Sequence, residues 1–329
     1  MNPKVTSRRA AFILMTAFQC WAVPVHAQEQ APVEIPVKEI TSHRIGTLQS
    51  IRGEGRPFPF NTIKLEVIVS PEGKVESAKV ISGQEGFFSQ AEAIEMKRQF
   101  KPFEKDGIAV RASITDAVSV YPPEKWAKTK IPFPEIHDWN SLQITFKKAK
   151  MCDRGCLAYS VEIQGDGSIT FHGGPYALIT GEHHATISKD AVINLVNEFR
   201  QADYFSLKNR YAEDGMSDRT GITTSIEFDG NKKQVFDYVG LSAGLPDVVK
   251  TLEAAINQTS GTAKWLKETD ETWPSLVAEN WNFGARTEEN CTLLTSVVNK
   301  GSSELRQNFI ANGAPTDLLD DVTKARLDK

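Results

Sequence analysis

Cysteine is scarce in this sequence: four in 329 residues, too few for a disulfide-built scaffold. Positive charge has no excess either. Lys and Arg number 38 against 42 Asp and Glu, a net charge of −4, so no global basic field exists to hold nucleic acid. Histidine is limited to six residues, and none has the His-x-x-x-His spacing of a helical zinc pair. A Gly-x-Ser-x-Gly elbow, a phosphate loop and a dinucleotide fingerprint are all missing. These absences give no cofactor and no metal to expect. What is present is ordinary: 40% hydrophobic and 24% charged residues exclude a disordered chain and a polytopic membrane protein. The length exceeds one ordinary core and suits two or three small domains.

The first residues read as a targeting segment. Lys4, Arg8 and Arg9 form a positive head, residues 10–25 are mostly apolar, and Val25-His26-Ala27 offers the short side chains that a signal peptidase reads. Cleavage between Ala27 and Gln28 would leave a periplasmic chain, touching the membrane only through its lost signal. It would keep three cysteines, and losing three basic residues would move the net charge from −4 to −7. The alternative is an uncleaved anchor. The run is short of the roughly twenty apolar residues a span needs, and Pro24 interrupts it. Lipidation at Cys20 lacks small residues before it, and Ser7-Arg8-Arg9-Ala10-Ala11-Phe12 is a loose twin-arginine look-alike.

Residues 28–57 form an extended, proline-dotted leader, ending in a strand near 45–51. Alternation then begins at Ile63-Lys64-Leu65-Glu66-Val67, the period of a half-buried strand. Pro71-Glu72-Gly73 turns the chain into a return strand over 75–81. Residues 89–100 form a helix stopped by Pro102, and 110–120 alternate again. The module over 58–125 is therefore β-β-α-β. The hairpin "SPEGKVESAKV", the helix, and Phe100-Lys101-Pro102-Phe103 before "DGIAVRASI" resemble the C-terminal domain of TonB-type energy transducers over about residues 60–122. Arg98 stands where that family usually has an aromatic. The resemblance implies the fold and a cell-envelope setting.

A proline-dotted linker over 126–139 leads to a second α+β unit over 140–267. Its signs are a hairpin about Gly165-Asp166-Gly167 and a helix capped by Ser188 with Val192, Leu195, Val196 and Phe199 on one stripe. A hairpin about Asp229-Gly230-Asn231 follows, then a second amphipathic helix through Leu245, Val248, Val249, Leu252 and Ile256. Strands followed by a helix, twice, predict a sheet with helices on one face. The opening Cys152-Asp-Arg-Gly-Cys156-Leu-Ala-Tyr159, the Gly165-Asp166-Gly167 turn and "ADYFSL" resemble an uncharacterised domain of exported bacterial proteins, often followed by ankyrin repeats. The tail, 274–329, is similar to one ankyrin-type repeat over about 274–316. Thr292, Leu294, Gly301, Glu304 and Gly313-Ala314 carry that spacing, with Val297-Val298 and Leu305, Phe309-Ile310 as facing stripes. So short an array must pack on the domain before it, or it is the remnant of a longer one.

Few constellations carry chemistry. In an oxidising compartment Cys152 and Cys156 are close enough to pair as a local bridge; free thiols, a redox pair and a metal site are the alternatives. Cys291 reads as a small buried residue. His183 and His184 are adjacent and read as exposed strand or turn residues, although with His172 and Asp218 they suggest a zinc site. Asp214 and Asp218 flank Gly215 and read as turn formers, as do Asp166 and Asp229. Tyr204, Phe205, Phe228, Phe236 and Tyr238 read as packing residues. The expectation is a non-enzymatic, exported protein that binds a protein or peptide in the envelope, through an open sheet edge or a concave helical face. Two rivals stand beside it. One is an envelope hydrolase with Asp214, Asp218 and His183 or His184 converging in the 140–267 unit. The other is a transducer, should the N-terminal segment remain an anchor.

Overall fold

The leader joins the first module instead of trailing from it. A computed structural model describes residues 31–46, 49–57, 59–149, 155–213 and 215–327. In chain order the first module contains β1 (Val33–Glu34), α1 (Val37–His43), β2 (Arg44–Ile45), β3 (Ile51–Arg52), β4 (Thr62–Val69), β5 (Val75–Ser82) and α2 (Phe88–Glu95). Then come β6 (Gln99–Phe100), β7 (Phe103–Lys105), β8 (Ile108–Val110) and β9 (Ala112–Tyr121). The main sheet runs β1-β9-β4-β5, with β3 also on β9. β4 and β9 bury alternate residues because one face is covered by helices and the other is wet. Gly73 in the β4–β5 turn has φ +84°, and a Cβ there would sit 1.9 Å from the Phe100 carbonyl oxygen, so only glycine fits.

Two expectations change here. The extended leader contains a helix, because Ile35, Ile40 and Ile51 find places in the apolar core. The helix expected over 89–100 ends at Glu95. Gln99–Phe100 pairs with β2 instead, and Phe100 donates its N–H to the Gly73 carbonyl at 2.9 Å. Tertiary pairing overrides local helix preference there.

The second half begins with β10 (Gln143–Ala149), β11 (Tyr159–Gln164), β12 (Ser168–Gly173), β13 (Gly181–Thr186), α3 (Lys189–Gln201) and β14 (Arg210–Ala212). It continues through β15 (Gly221–Phe228), β16 (Asn231–Tyr238), α4 (Asp247–Ser260), α5 (Ala263–Leu266), α6 (Thr272–Ala278), α7 (Glu288–Lys300), α8 (Ser303–Ala311) and α9 (Asp321–Lys324). The sheet order is β13-β12-β11-β10-β15-β16-β14. Ser188 caps α3 by accepting the Ala191 N–H, and Val192, Leu195, Val196 and Phe199 are all buried against the sheet. The architecture is α+β, as the order of strand and helix patterns predicted.

One continuous apolar core runs from Leu142 to Leu319. The C-terminal helices close over the sheet through Trp265, which stacks on Phe171 at 4.7 Å, and through Trp273, Phe283 and Phe309. Helices α7 and α8 meet at Gly301, where a Cβ would lie 2.6 Å from the Val297 carbonyl. Val297, Val298, Leu305 and Phe309 are buried, whereas Ile310 faces solvent. No helix among the described residues is long and apolar enough to cross a membrane. The Ala27–Gln28 cleavage point, Cys152 and Asp214 lie outside the described residues, so the Cys152–Cys156 pairing does as well.

Candidate functional site

Strand β5 ends the strand order of the first sheet; Lys74, just before it, bridges Gln99, and along Val75–Ser82 no strand pairs its outer side among the described residues. The Val80 N–H points away from β4, because it donates to Glu92 Oε1 at 3.2 Å. The ladder is regular from Ser77 to Val80, so a period of two turns the Ala78 N–H and C=O outward as well. Ser77 and Lys79 are committed to β4. Register irregularities flank this stretch at Lys64/Leu65 and Ile68/Val69, and Lys79 stands opposite Glu66 on the wet face. Beside it Ile81 is 58% exposed.

The opposite edge already carries added strands. β1 and β3 each lie parallel to β9 for two residue pairs. Val33 donates to the Arg111 carbonyl at 2.8 Å and Gly53 to that of Tyr121 at 2.8 Å. Short segments therefore add to this sheet through main-chain bonds, with Ile35 and Ile51 also buried in its core.

A buried ion network fixes the leader and α2 on the inner face. Asp116, on β9, accepts from Arg44 of the leader and, at 2.9 Å, from Arg98 Nη1. Its Oδ1 also takes the Ala117 N–H at 2.7 Å. Glu95, fully buried, lies with Oε2 3.2 Å from Arg98 Nε. Burial, then the nearby Asp116 charge, pushes the Glu95 carboxyl up to about 8, against the opposing arginines. Burial acts upward on Asp116 too, but the Arg44 hydrogen bond and the Arg98 charge overcome it and hold the carboxyl below its usual range.

Folded Glu95 keeps its proton up to about pH 8, whereas the unfolded group loses it near 4.5. This contribution is full below the unfolded value and is lost as pH rises through the folded one. Asp116 acts in reverse: its contribution is present above 3.8 and lost on acidification. Glu95→Gln imitates the protonated carboxyl. Its melting temperature is expected to match the parent near pH 5 and exceed it near pH 8.5, about half a unit past the folded value. Parallel melting curves across that range would contradict the assignment.

A second network stands where the two halves meet. Lys250 on α4 donates to buried Asp237 of β16 and to Glu253 Oε2 at 2.9 Å. Burial pushes Glu253 up to about 7, with Lys250 opposing. Nearby, Arg52 of β3 reaches across, donating to the Leu245 carbonyl at 2.7 Å and to Asp247 Oδ1 at 2.5 Å. Glu124 Oε1 receives the Asp247 N–H at 2.9 Å. Asp247 and Lys250 border a cleft of about 780 Å³ between Ala117, Ser119 and Tyr121 of β9 and Thr251, Ala254 and Gln258 of α4. Val239, a β-branched residue held at φ +53°, stands by the same joint.

The residues singled out from the sequence do not converge. His183 lies on β13, four strand spacings of about 4.8 Å from β15, hence about 19 Å away. Asp218 sits in the loop leading into β15, at φ +61°. His183 is buried, contrary to its reading as an exposed residue. Its Nδ1 meets Glu279 Oε2 at 2.5 Å and its Nε2 the Thr180 carbonyl at 2.9 Å, so it rivets the C-terminal helices to the sheet edge. His184 is exposed and lies 3.1 Å from Glu182 Oε1, and His172 lies 3.6 Å from Glu182 Oε2. No group of three or more His, Cys, Asp or Glu able to hold a metal occurs among the described residues. Asp166 closes its turn on the Ser168 N–H at 2.8 Å, and Asp229 receives the His137 N–H at 2.6 Å, anchoring the linker. Cys291 is free and only half-buried.

Sequence reading missed both ion networks and the leader strands. Glu95–Arg98 and Lys250–Glu253 have i,i+3 spacing, a usable signal, and Arg98 in an aromatic position was another. Two-residue strands have no period to detect.

Residues 142–260 match the model of a domain of unknown function (DUF6438). The match falls within the 140–267 unit and attaches no activity to it. No match to a TonB-type or an ankyrin family accompanies it. No curated protein matches the chain.

Proposed function

We propose that this chain is an interaction protein of the cell envelope, exported by its N-terminal segment, that binds an extended stretch of a protein partner along β5. The observation that carries this reading is the open β5 edge, whose Ala78 main-chain groups face away from the sheet. Strand addition to such an edge draws affinity from main-chain hydrogen bonds and specificity from alternate side chains. The TonB-type reading of the first module and the ankyrin-type reading of α7 and α8 fit the same role. Both rest on the residue patterns quoted above, as does the local Cys152–Cys156 bridge. The hydrolase reading has less support, since His183 is spent on Glu279 and stands strands away from Asp218.

Ala78→Pro tests the proposal. Proline removes an outward N–H that no internal bond uses, and edge strands tolerate it. A capped octapeptide alternating Thr and Val is expected to bind the full chain and to lose at least about ten-fold in affinity to this variant, the equivalent of about 1.4 kcal/mol. The melting temperature should hold. Equal binding by the two proteins, or none by the parent, would overturn the proposal.

A further inference from the structure

The edge is not left bare: one of its outward donors is already occupied by a carboxylate. Glu92, on α2, takes the Val80 N–H at 3.2 Å, in the position where the carbonyl of an added strand would sit. Glu76 is paired with Arg111 at 2.6 Å, and Lys79 stands opposite Glu66. Among the described residues Glu92 makes no ion pair, and its carboxylate accepts from the Val80 N–H. A full-length added strand must push this carboxylate off the main chain and leave it beside the incoming residues. An acidic or neutral strand then strands the charge next to the new backbone. A strand with a lysine or arginine side chain near that register position gives it a partner.

We infer that Glu92 is the gate and the specificity residue of the β5 edge, selecting a basic extended segment of a partner protein. This rests on the edge reading above. The carboxylate does two things. It blunts the edge against indiscriminate pairing, as charged groups at open strands do. On displacement it also converts main-chain docking into charge-selective docking. Ile81, exposed on the opposite face of the same strand, offers an apolar contact to alternate residues of the segment.

Three capped octapeptides are the probes, alternating Val with Lys, with Thr or with Glu. Binding to the full chain is read by fluorescence anisotropy at low salt. The Lys peptide is expected to bind about five-fold more tightly than the Glu peptide, the scale of exposed charge pairs. Added salt narrows the gap. Glu92→Gln should bring that ratio close to unity while the Thr peptide still binds. If Glu92→Gln leaves the ratio intact, the gate is wrong although the edge stands. If Ala78→Pro leaves all three affinities unchanged, the edge itself is wrong and the gate falls with it. Loss of Thr-peptide binding in folded Glu92→Gln would also overturn the gate, since a gate is not needed for main-chain docking.

Discussion

Asp116→Ala is expected to destabilise the first module by about 3–5 kcal/mol, the cost of removing one partner from a buried ion network. Asp116 is 2% exposed and satisfies Arg44 and Arg98 together, and its loss leaves two guanidinium groups competing for a carboxyl, Glu95, that is otherwise protonated. The Ala117 N–H loses its acceptor as well. Urea denaturation of the full chain reads the effect as a lowered midpoint for the first transition. A joint change of Arg44→Met, Arg98→Met and Asp116→Leu should cost less than the single one, because a fully apolar replacement strands no charge. A loss under about 1 kcal/mol for Asp116→Ala would mean that the network is solvated, as surface pairs are.

Trp265→Ala carries the second large effect, about 3–5 kcal/mol, in the second half of the chain. Trp265 is fully buried, stacks on Phe171 at 4.7 Å, and gives its carbonyl to the Ile179 N–H at 3.1 Å. It lies beyond the matched residues 142–260, yet it sits in the same apolar core. The cavity should therefore loosen β12, β13 and the C-terminal helices together, read as one denaturation transition at lower urea. Trp265→Phe should lose less than half as much, since it retains stacking and removes an indole N–H that has no hydrogen-bond partner. Equal losses for the two variants, or helices that melt separately from the sheet, would show that the ring does not join them.

The parts of this fold that could be read in advance are those written in local period. β4 alternates at every position, and the α3 stripe from Val192 to Phe199 falls on one face. The Asp229-Gly230 turn has both residues at positive φ, as a tight hairpin demands. The parts that could not be read depend on distant partners. β1 and β3 are two residues long and exist because β9 offers an edge. His183 looked like any strand histidine until Glu279, 96 residues later, folded onto it. The Glu92 contact is also tertiary, joining a helix to a main-chain donor twelve residues earlier. An open edge is a property of the sheet's outline, and no residue pattern in β5 announces which of its sides will stay free.

The two edges of the first sheet are put to different uses. On β9 the chain's own leader occupies both ends, and Arg52 of that leader continues into the second half to bind Leu245 and Asp247. Both ends of that edge are thus used in internal joining, whereas β5 is the edge to which the proposal assigns the partner.

The most direct measurement is residue-resolved amide hydrogen exchange on the full chain, with and without the Lys-Val octapeptide. Strand addition along β5 predicts that the Ala78 amide becomes strongly protected on binding. Ser77 and Lys79, already bonded to β4, should barely change. Protection confined to the cleft at α4, or an unaltered Ala78 amide at saturating peptide, would contradict the account.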